Sequence, residues 1–390
     1  TPNLLIRQGT MQPIYDGENI STVANLPNPN LKWEQTAQTN IGWDLGFFDG
    51  RLNIGGDFYY KKTTDLFTNV DVSPINGITS YIMNNGDMLN KGFSISLNGY
   101  PVKTKNFRWY MSTYYSVNLN KVQTDDARNY NLNDYLNGTA VVSGQPISTF
   151  YSYKFLGLNP QNGAPMFDDW EDRWHLLQGK TLDEVVPMIL VNSGTRDPKF
   201  SGDLNNTFTY KNWSLSLNFS YSLGSKVRLF EMYGPIINGI SAAANVREEF
   251  LDRWQVPGDE KYTVYPLIIS PSSPDYEHYR LHYSAPQRAV GPNSGVPAFA
   301  NNVWQMYDDS DLRVVSGNYL KLQSLSFSYR LNDRLLRKTP FTQLSISFNT
   351  HNCFTISAKE LRGQDPSQAG FADAGLSIRP SYTIGLNVSF

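Results

Sequence analysis

Two histidines at i and i+4 are the positions whose types and spacing best fit metal chemistry. The chain has four histidines: His175, His278, His282 and His351. On a helix, His278 and His282 would lie on one face and could chelate a metal ion through their imidazoles. The sequence around them is flanked by proline-rich segments typical of loops, so we predict no metal site at this pair.

Two acidic clusters could supply the oxygen ligands that calcium prefers. Residues 168–172 read Asp-Asp-Trp-Glu-Asp, and residues 308–311 read Asp-Asp-Ser-Asp. Neither has the spaced ligand positions of an EF-hand loop, so we interpret both as solvated loop faces. The sequence also contains no nucleophile elbow, phosphate-binding loop or dinucleotide fingerprint. We therefore expect neither enzymatic activity nor a bound cofactor.

The strongest candidates for ligand binding are aromatic side chains in two long segments, 119–202 and 224–318. Aromatic faces stack on sugar rings and also hold peptide side chains, and a nearby aspartate could hydrogen-bond a hydroxyl group. The predicted ligand-binding residues are Trp170, Trp174, Tyr233, Tyr276, Tyr279, Trp304, Tyr307 and Asp309. The alternative is that these rings pack the loops against each other or against a partner protein.

The elements that must position these loops are β-strands. Apolar and polar residues alternate over nine segments, which is the period of a strand with one apolar and one polar face. The nine predicted strands span residues 36–48, 51–62, 91–100, 106–118, 203–211, 213–223, 319–331, 342–353 and 380–390. The alternation predicts an all-β, antiparallel protein.

One predicted strand, 319–331, departs from strict alternation. Leu325 and Phe327 share one face, whereas Leu320 and Leu322 fall on the opposite parity. A β-bulge would return the apolar side chains to a common face. An inward-packed apolar patch is the alternative.

The connections between the predicted strands alternate between short and long. Two-residue turns are predicted at Asp49-Gly50 and Lys211-Asn212, and residues 101–106 and 332–341 form the other short connections. The long segments are 1–35, 63–90, 119–202, 224–318 and 354–379. Short turns on one rim and long loops on the other are typical of bacterial outer-membrane β-barrels. We place the strand-like segment 150–158 within an outer loop, because a further crossing would break this alternation.

Composition agrees with a transmembrane β-barrel. Charged residues make up 17% of the 390 residues, aromatic residues make up 14%, and the mean hydropathy is −0.42. Half of each barrel strand faces water, so a barrel needs no long apolar run. The formal net charge of −2 gives no basic field for nucleic acid, and a single cysteine excludes an internal disulfide.

The end of the chain fits the same interpretation. Residues 380–390 alternate in polarity and end on Phe390, the aromatic terminus by which the assembly machinery recognises a nascent barrel. We predict that Trp43, Trp109, Trp213 and Tyr382 lie at the bilayer interface, where aromatic girdles form. Nine strands are an odd number, whereas bacterial single-chain barrels have even numbers. We therefore expect residues 1–390 to be the C-terminal part of a larger barrel.

Several sequence blocks occur together along the chain. They are Asn28-Pro-Asn-Leu-Lys-Trp-Glu-Gln-Thr36, Asp57-Phe-Tyr-Tyr-Lys-Lys-Thr-Thr-Asp-Leu66, Asn85-Gly-Asp-Met-Leu-Asn-Lys-Gly-Phe93, Asp197-Pro-Lys-Phe200, Arg253-Trp-Gln-Val-Pro-Gly-Asp-Glu260, Ser316-Gly-Asn-Tyr-Leu-Lys-Leu-Gln323 and Asp365-Pro366. In this order they resemble the SusC/RagA-type TonB-dependent outer-membrane transporters of Bacteroidetes. We interpret Pro257-Gly-Asp-Glu260 and Asp365-Pro366 as positions that set turn geometry.

The resemblance implies a barrel of about 22 strands, of which these would be the last nine. It further implies an N-terminal plug that this chain lacks, a SusD-like lipoprotein lid and a TonB complex that acts through the missing region. The implied substrate is an oligosaccharide or a peptide, and the implied location is the outer membrane, in contact with its lipid. Two alternatives are a passive porin or surface adhesion barrel, and a soluble β-rich carbohydrate-binding module.

Overall fold

The computed structural model describes most of the chain. The described residues are 5–8, 21–25, 28–71, 75, 80–123, 130, 132–168, 170–177, 179–180, 182–234, 246–268, 276, 289–290, 296–297, 303–337, 339–367 and 379–390. His278, His282 and Tyr279, which the sequence singled out, lie outside this set.

A nine-stranded antiparallel sheet dominates the fold, and each strand pairs with its neighbours in sequence order. Its strands are β1 (Gln35–Phe47), β2 (Leu52–Thr64), β3 (Asp87–Lys103), β4 (Phe107–Gln123), β5 (Phe200–Tyr210), β6 (Trp213–Leu223), β7 (Tyr319–Arg330), β8 (Gln343–Ser357) and β9 (Ser381–Ser389). β1 and β9 form the two edges. The nine predicted strands are confirmed, although β3 and β4 extend several residues further into the long connections than predicted.

Register places the apolar side chains of neighbouring strands on one continuous face. Leu215 of β6 lies opposite Phe208 of β5 on one side and Phe327 of β7 on the other. On this face large side chains remain exposed, including Ile41 at 61% and Ile384 at 80%. The opposite face carries serine, threonine, asparagine and tyrosine side chains. We call the two sides of this sheet the apolar face and the polar face.

The predicted β-bulge in β7 is confirmed. Asn218 of β6 pairs with Ser324, and the next β6 residue, Phe219, pairs with Leu322. Gln323 is therefore an extra residue that has no opposite partner in this ladder. The insertion shifts the parity of β7 by one, so that Leu322 and Leu325 lie on the same apolar face.

The short connections are confirmed with one correction. Lys211 and Asn212 form a two-residue turn, with Tyr210 paired to Trp213. The first hairpin is wider than the predicted Asp49-Gly50 turn, because pairing stops at Phe47 and Leu52. Residues 48–50 all have positive φ, so the left-handed backbone extends over more than the two predicted positions.

Shorter elements fill the long connections. The helices are Leu132–Leu136, Leu182–Ile189, Val303–Asp308 and Asp333–Leu336, and the 3₁₀ helices are Glu171–Leu176, Glu248–Asp252, Asp259–Lys261, Asp311–Arg313 and Lys359–Leu361. The two-stranded pairs are Leu5–Gln8 with Ser21–Asn25, Phe67–Asp71 with Ser80–Asn84, Thr149–Tyr153 with Leu190–Thr195, Phe155–Leu158 with Pro165–Phe167, Lys226–Arg228 with Val314–Ser316, and Ala289–Val290 with Val296–Pro297. Within the described ranges, no helix is both long and apolar enough to cross a membrane.

Candidate functional site

The long connections after β4 and β6 build a common hydrophobic core. Its members come from 130–190 and from 232–307, and they include aliphatic residues such as Leu177 and Val185 that are fully buried. We call this assembly the loop layer. The loop layer contains the main buried core of the described chain, whereas many large apolar side chains of the sheet stay exposed.

Four of the predicted ligand-binding aromatics are buried in the loop layer. Trp170, Tyr233, Trp304 and Tyr307 are 6%, 2%, 3% and 0% exposed, respectively. Tyr233 meets Tyr307 edge-to-face, with ring centroids 5.5 Å apart. These rings hold the loop layer together, as the packing alternative describes. In this arrangement their faces are covered by protein.

The remaining predicted ligand-binding residues occupy different environments. Tyr276 is buried and stacks on Trp304, with ring centroids 6.4 Å apart. Asp309 is partly buried. The backbone of Trp174 lies in a 3₁₀ helix, but its side chain and all of Tyr279 are outside the described part of the chain. As ligand contacts, all these positions stay predictions.

The acidic cluster 308–311 is not a solvated loop face, which corrects the sequence-based interpretation. Asp308 is 3% exposed. Its carboxylate accepts backbone N–H bonds from Met232 at 2.8 Å, Tyr233 at 2.8 Å and Gly234 at 2.9 Å. Burial raises the pKa of Asp308 to about 6 despite these bonds and nearby Arg313. The carboxylate fixes a sharp bend that starts the second long connection.

Asp311 and the Asp309 backbone join the two connections of the loop layer. The backbone N–H of Tyr153 donates to the Asp309 carbonyl at 3.2 Å. The Asp311 carboxylate accepts from Phe155 N–H at 3.0 Å and from Lys154 Nζ at 2.7 Å. The cluster therefore binds the strands at 149–158 to the segment that precedes β7. The other cluster, at 168–172, begins with an exposed Asp168 that pairs with Arg173.

The Arg228 side chain joins the same two long connections, those after β4 and β6. Its Nη2 donates to the carbonyls of Leu136 at 3.2 Å and Tyr151 at 2.9 Å, and to Ser152 Oγ at 3.0 Å. Burial lowers the pKa of Arg228, while Asp309 opposes that shift. In turn, burial raises the pKa of Asp309 to about 7, and Arg228 opposes the rise. The sequence analysis missed Arg228, because nothing near it in the chain indicates its partners.

The connection after β8 ties the loop layer to the sheet. Lys321, on the polar face of β7, forms an ion pair with Asp365, with Nζ 3.0 Å from Oδ2. Arg362 donates to Asp252 of the loop layer at 3.0 Å. Next to Arg362, Leu361 is 1% exposed and packs with Val227. Residues 358–367 thus form a strap with two charged contacts, one to the loop layer through Arg362 and one to the sheet through Asp365. Asp365 has a role in this strap that goes beyond the predicted turn geometry.

The polar face of the sheet is lined by short hydrogen-bonding side chains. Tyr59 Oη donates to Asn118 at 2.7 Å, across three strands. Ser326 Oγ donates to Asn349 at 2.7 Å. Such a surface stays hydrated and can exchange hydrogen bonds with polar solutes. Across the described residues, no His, Cys, Asp and Glu side chains are grouped as a metal site requires.

The aromatic residues predicted at the bilayer interface lie on the apolar face. Trp43 lies opposite Gly56 in the β1–β2 ladder. Trp109 stacks on Phe208, and its Nε1 donates to Asn206 at 3.0 Å. Trp213 stacks on Phe327, and Tyr382 is 66% exposed. Trp109 and Trp213 lie near the short-turn ends of their strands.

Phe390 follows the last strand at the short-turn rim. Its ring meets Phe341 edge-to-face at 5.2 Å, and its carbonyl accepts from Thr342 Oγ1 at 3.3 Å. Phe390 is nevertheless 85% exposed. Its role as an assembly signal stays a prediction.

Comparison with known proteins identifies related chains over almost the whole sequence. Residues 6–247 match the family model described as TonB dependent receptor-like, beta-barrel. The chain is 25% identical over 397 residues to TonB-dependent receptor P3 of Formosa agariphila, covering 94% of this chain and 35% of that protein. It is 30% identical over 224 residues to TonB-dependent receptor SusC of Bacteroides thetaiotaomicron, covering 54% of this chain and 21% of that protein.

Solved structures show the same fold. The RagAB peptide transporter aligns with a TM-score of 0.68 and 20% identity, covering all of this chain and 38% of that chain. A 'closed-closed' state of the RagAB peptide importer aligns with a TM-score of 0.69 and 19% identity. The chain therefore spans little more than a third of the length of these relatives.

Proposed function

The chain belongs to the TonB-dependent receptor-like β-barrel family, and we propose that it supplies the wall and outer loops of a nutrient importer. The proposed substrates are oligosaccharides or oligopeptides, and the proposed partners are a SusD-like surface lipoprotein and the TonB complex. Family barrels of this kind lie in the outer membrane. The name of one solved relative, the RagAB peptide transporter, supports the oligopeptide class. The oligosaccharide class rests on the resemblance to SusC/RagA-type transporters.

The observation that carries the proposal is the two-faced sheet. An exposed face with side chains such as Leu386 at 63% exposure would aggregate in water, whereas lipid tails would cover it. The polar face then lines the inside of the barrel. Nine strands give only part of the wall of a family barrel, so further strands would continue the sheet at β1 and β9. We include these further strands, the plug and the TonB-contact region in the proposal.

An exposed apolar surface on the loop layer supports a contact with the lid. Leu251, Val256 and Tyr262 are 73%, 59% and 90% exposed. They lie around the two 3₁₀ turns at Glu248–Asp252 and Asp259–Lys261. Apolar side chains clustered on a surface loop are typical of protein interaction sites. We call these three residues the lid patch.

Uptake by the full-length protein tests the transport proposal. Cells that express it should accumulate labelled oligopeptides or oligosaccharides, and the accumulation should stop when TonB is deleted. Comparing the two substrate classes in one strain identifies the cargo. Uptake that persists without TonB would instead support the passive pore.

Replacing the lid patch tests the partner. Leu251→Ser with Val256→Ser and Tyr262→Ser should prevent co-purification of the lipoprotein, while heat-modifiable migration in gels shows that the barrel still assembles. Leu156→Ser is the matched control, because Leu156 is 56% exposed on a different part of the loop layer. If the triple variant retains the lipoprotein, the lid contact lies elsewhere.

A further inference from the structure

The apolar face carries charged side chains in one place. Within the nine described strands, the charged residues on this face are Lys62, Asp87, Lys91 and Lys121. They occupy three adjacent strands, β2 to β4, at the ends that lead into long connections. We call these four residues the lysine patch.

Register brings the three lysines close together. Lys62 lies opposite Leu89, and Leu89 lies opposite Lys121. Lys91 is displaced by two residues, opposite Tyr60 and Leu119. Lys91 is therefore a diagonal neighbour of both other lysines, at a spacing of about 7–8 Å between positions. Asp87 pairs with Lys62, with Nζ 2.9 Å from Oδ2, so the patch keeps a net positive charge.

The height of the lysine patch matches the edge of a bilayer. Lys62 follows Leu52, the first residue of β2, by ten positions. Ten residues span about 33 Å along a strand, or about 25 Å along the membrane normal at the usual barrel tilt. That is about the height of the apolar band of a membrane barrel. Below the lysines the same face presents Phe58 and Phe93.

We propose that the lysine patch binds the phosphate of an anionic lipid in the outer leaflet. A lysine on this face has a flexible stem that can lie along apolar surface and an ammonium group that can reach the headgroups. Lys91 and Lys121 lie on exposed positions. Lys91 lies at diagonal spacing from both Lys62 and Lys121, so the flexible side chains can bring their ammonium groups to one phosphate group. The bound lipid would contact the barrel wall at β2 to β4, below the loop layer.

Native mass spectrometry of the detergent-solubilised full-length protein tests this site, with dioleoyl phosphatidylglycerol as the probe. In the double variant Lys91→Gln with Lys121→Gln, the affinity for the most tightly bound phosphatidylglycerol molecule should fall roughly fivefold for each lysine removed. Lys121→Gln alone should lose affinity by one such factor of roughly five. This single variant keeps the test possible if the double variant does not assemble. Lys91→Arg with Lys121→Arg should retain the affinity.

Lys61→Gln is the matched control, because Lys61 is the neighbour of Lys62 on the opposite, polar face of β2. It should leave lipid binding unchanged. Equal phosphatidylglycerol binding by the wild type and the glutamine variants would overturn the lipid site. Displacement of the lipid by excess inorganic phosphate would also overturn it, because the site would then be a free anion site.

The proposal rests on the membrane orientation given above, and the two can fail separately. A wild-type protein that remains soluble without detergent would refute the membrane wall itself. A wild type that inserts into membranes but binds phosphatidylglycerol independently of the lysines would refute the lysine patch alone.

Discussion

Lys321 and Asp365 form an ion pair in which both side chains are buried, at 4% and 8% exposure. Lys321 projects from the polar face of β7, and Asp365 belongs to the strap that follows β8. The Asp365 carboxylate also accepts from the backbone N–H and Oγ of Ser367 at 2.9 and 2.7 Å. The pair therefore holds the strap against the wall, and Arg362 holds it to the loop layer.

Breaking this pair should release the strap. Lys321→Met leaves the Asp365 carboxylate buried without its cation, which costs about 3 kcal/mol. Burial acts to raise the pKa of Asp365, but Ser367 and Lys321 hold the pKa below its usual value. Replacing the lysine should raise that pKa. Hydrogen exchange of residues 358–367 in the full-length protein should become faster in Lys321→Met.

Arg362→Gln provides the matched control, because it breaks the more exposed charged contact of the strap, the one with Asp252. Asp252 is 58% exposed, and exposed ion pairs contribute at most about 1 kcal/mol. Exchange in the strap should change much less than in Lys321→Met. Equal effects of the two variants would mean that the buried pair is not the main attachment.

The loop layer should lose stability as pH rises from about 4 to about 7. Burial raises the pKa of Asp308 to about 6 and that of Asp309 to about 7. Both values are above the unfolded value near 3.9, so the folded loop layer binds protons more tightly than the unfolded one. Stability then falls as pH rises from the unfolded value to the folded-state values, and it levels off above them. Amide exchange at Met232 and Tyr233, corrected for the intrinsic rate, should accelerate over this range.

Asp309→Asn should remove the upper part of this pH dependence. The amide cannot ionise, so the fall in stability between about pH 6 and 7 should disappear, while the fall between about pH 4 and 6, to which Asp308 contributes, should remain with a shallower slope. An unchanged profile in Asp309→Asn would assign the pH dependence to other groups.

The sheet could be predicted from sequence because its signals are local. The alternation in β6 predicts its two faces without reference to any other strand, and its bounds agree with the structure. Even the bulge at Gln323 was visible, because Leu320 and Leu325 disagree in parity. Strand ends were less predictable. β3 begins at Asp87, where pairing with β4 extends the ladder beyond the alternating apolar residues.

The loop layer could not be predicted because its decisive contacts join distant residues. Arg228 donates to the Tyr151 carbonyl 77 positions away, and Asp308 accepts from Met232 76 positions away. Neither residue has a local partner that distinguishes it from a solvated charge. The aromatic residues carry the same ambiguity, since Tyr307 could bind a ligand or form a core until its neighbours are known.

Trp254 and Gly163 define a close contact within the loop layer that can be tested. The indole of Trp254 lies over Gly163, whose added Cβ would come within 2.4 Å of the ring, and Gly163 has φ of +66°. Gly163→Ala should therefore destabilise the loop layer through both strain and overlap. Gly179→Ala is the control, because Gly179 has φ of +72° but no atom within 4 Å of an added Cβ. Gly163→Ala should cost about 1–3 kcal/mol more, as overpacking does, measured by hydrogen exchange near Trp254. Similar costs would show that backbone strain alone matters.

Deleting Gln323 tests what the bulge contributes to assembly. Without the extra residue, Leu322 and Ser324 become neighbours, so regular pairing with β6 keeps both Leu322 and Leu325 on the apolar face. Lys321 also stays on the polar face, opposite Ser220. The deletion variant should therefore assemble, with heat-modifiable protein in the outer membrane at the wild-type level. Gln323→Ala keeps the extra residue and loses only the hydrogen bond to Ser220, so it should assemble normally too. Poor assembly of the deletion variant alone would show that the bulge must match the neighbouring irregularity in β8, where Asn352 has positive φ.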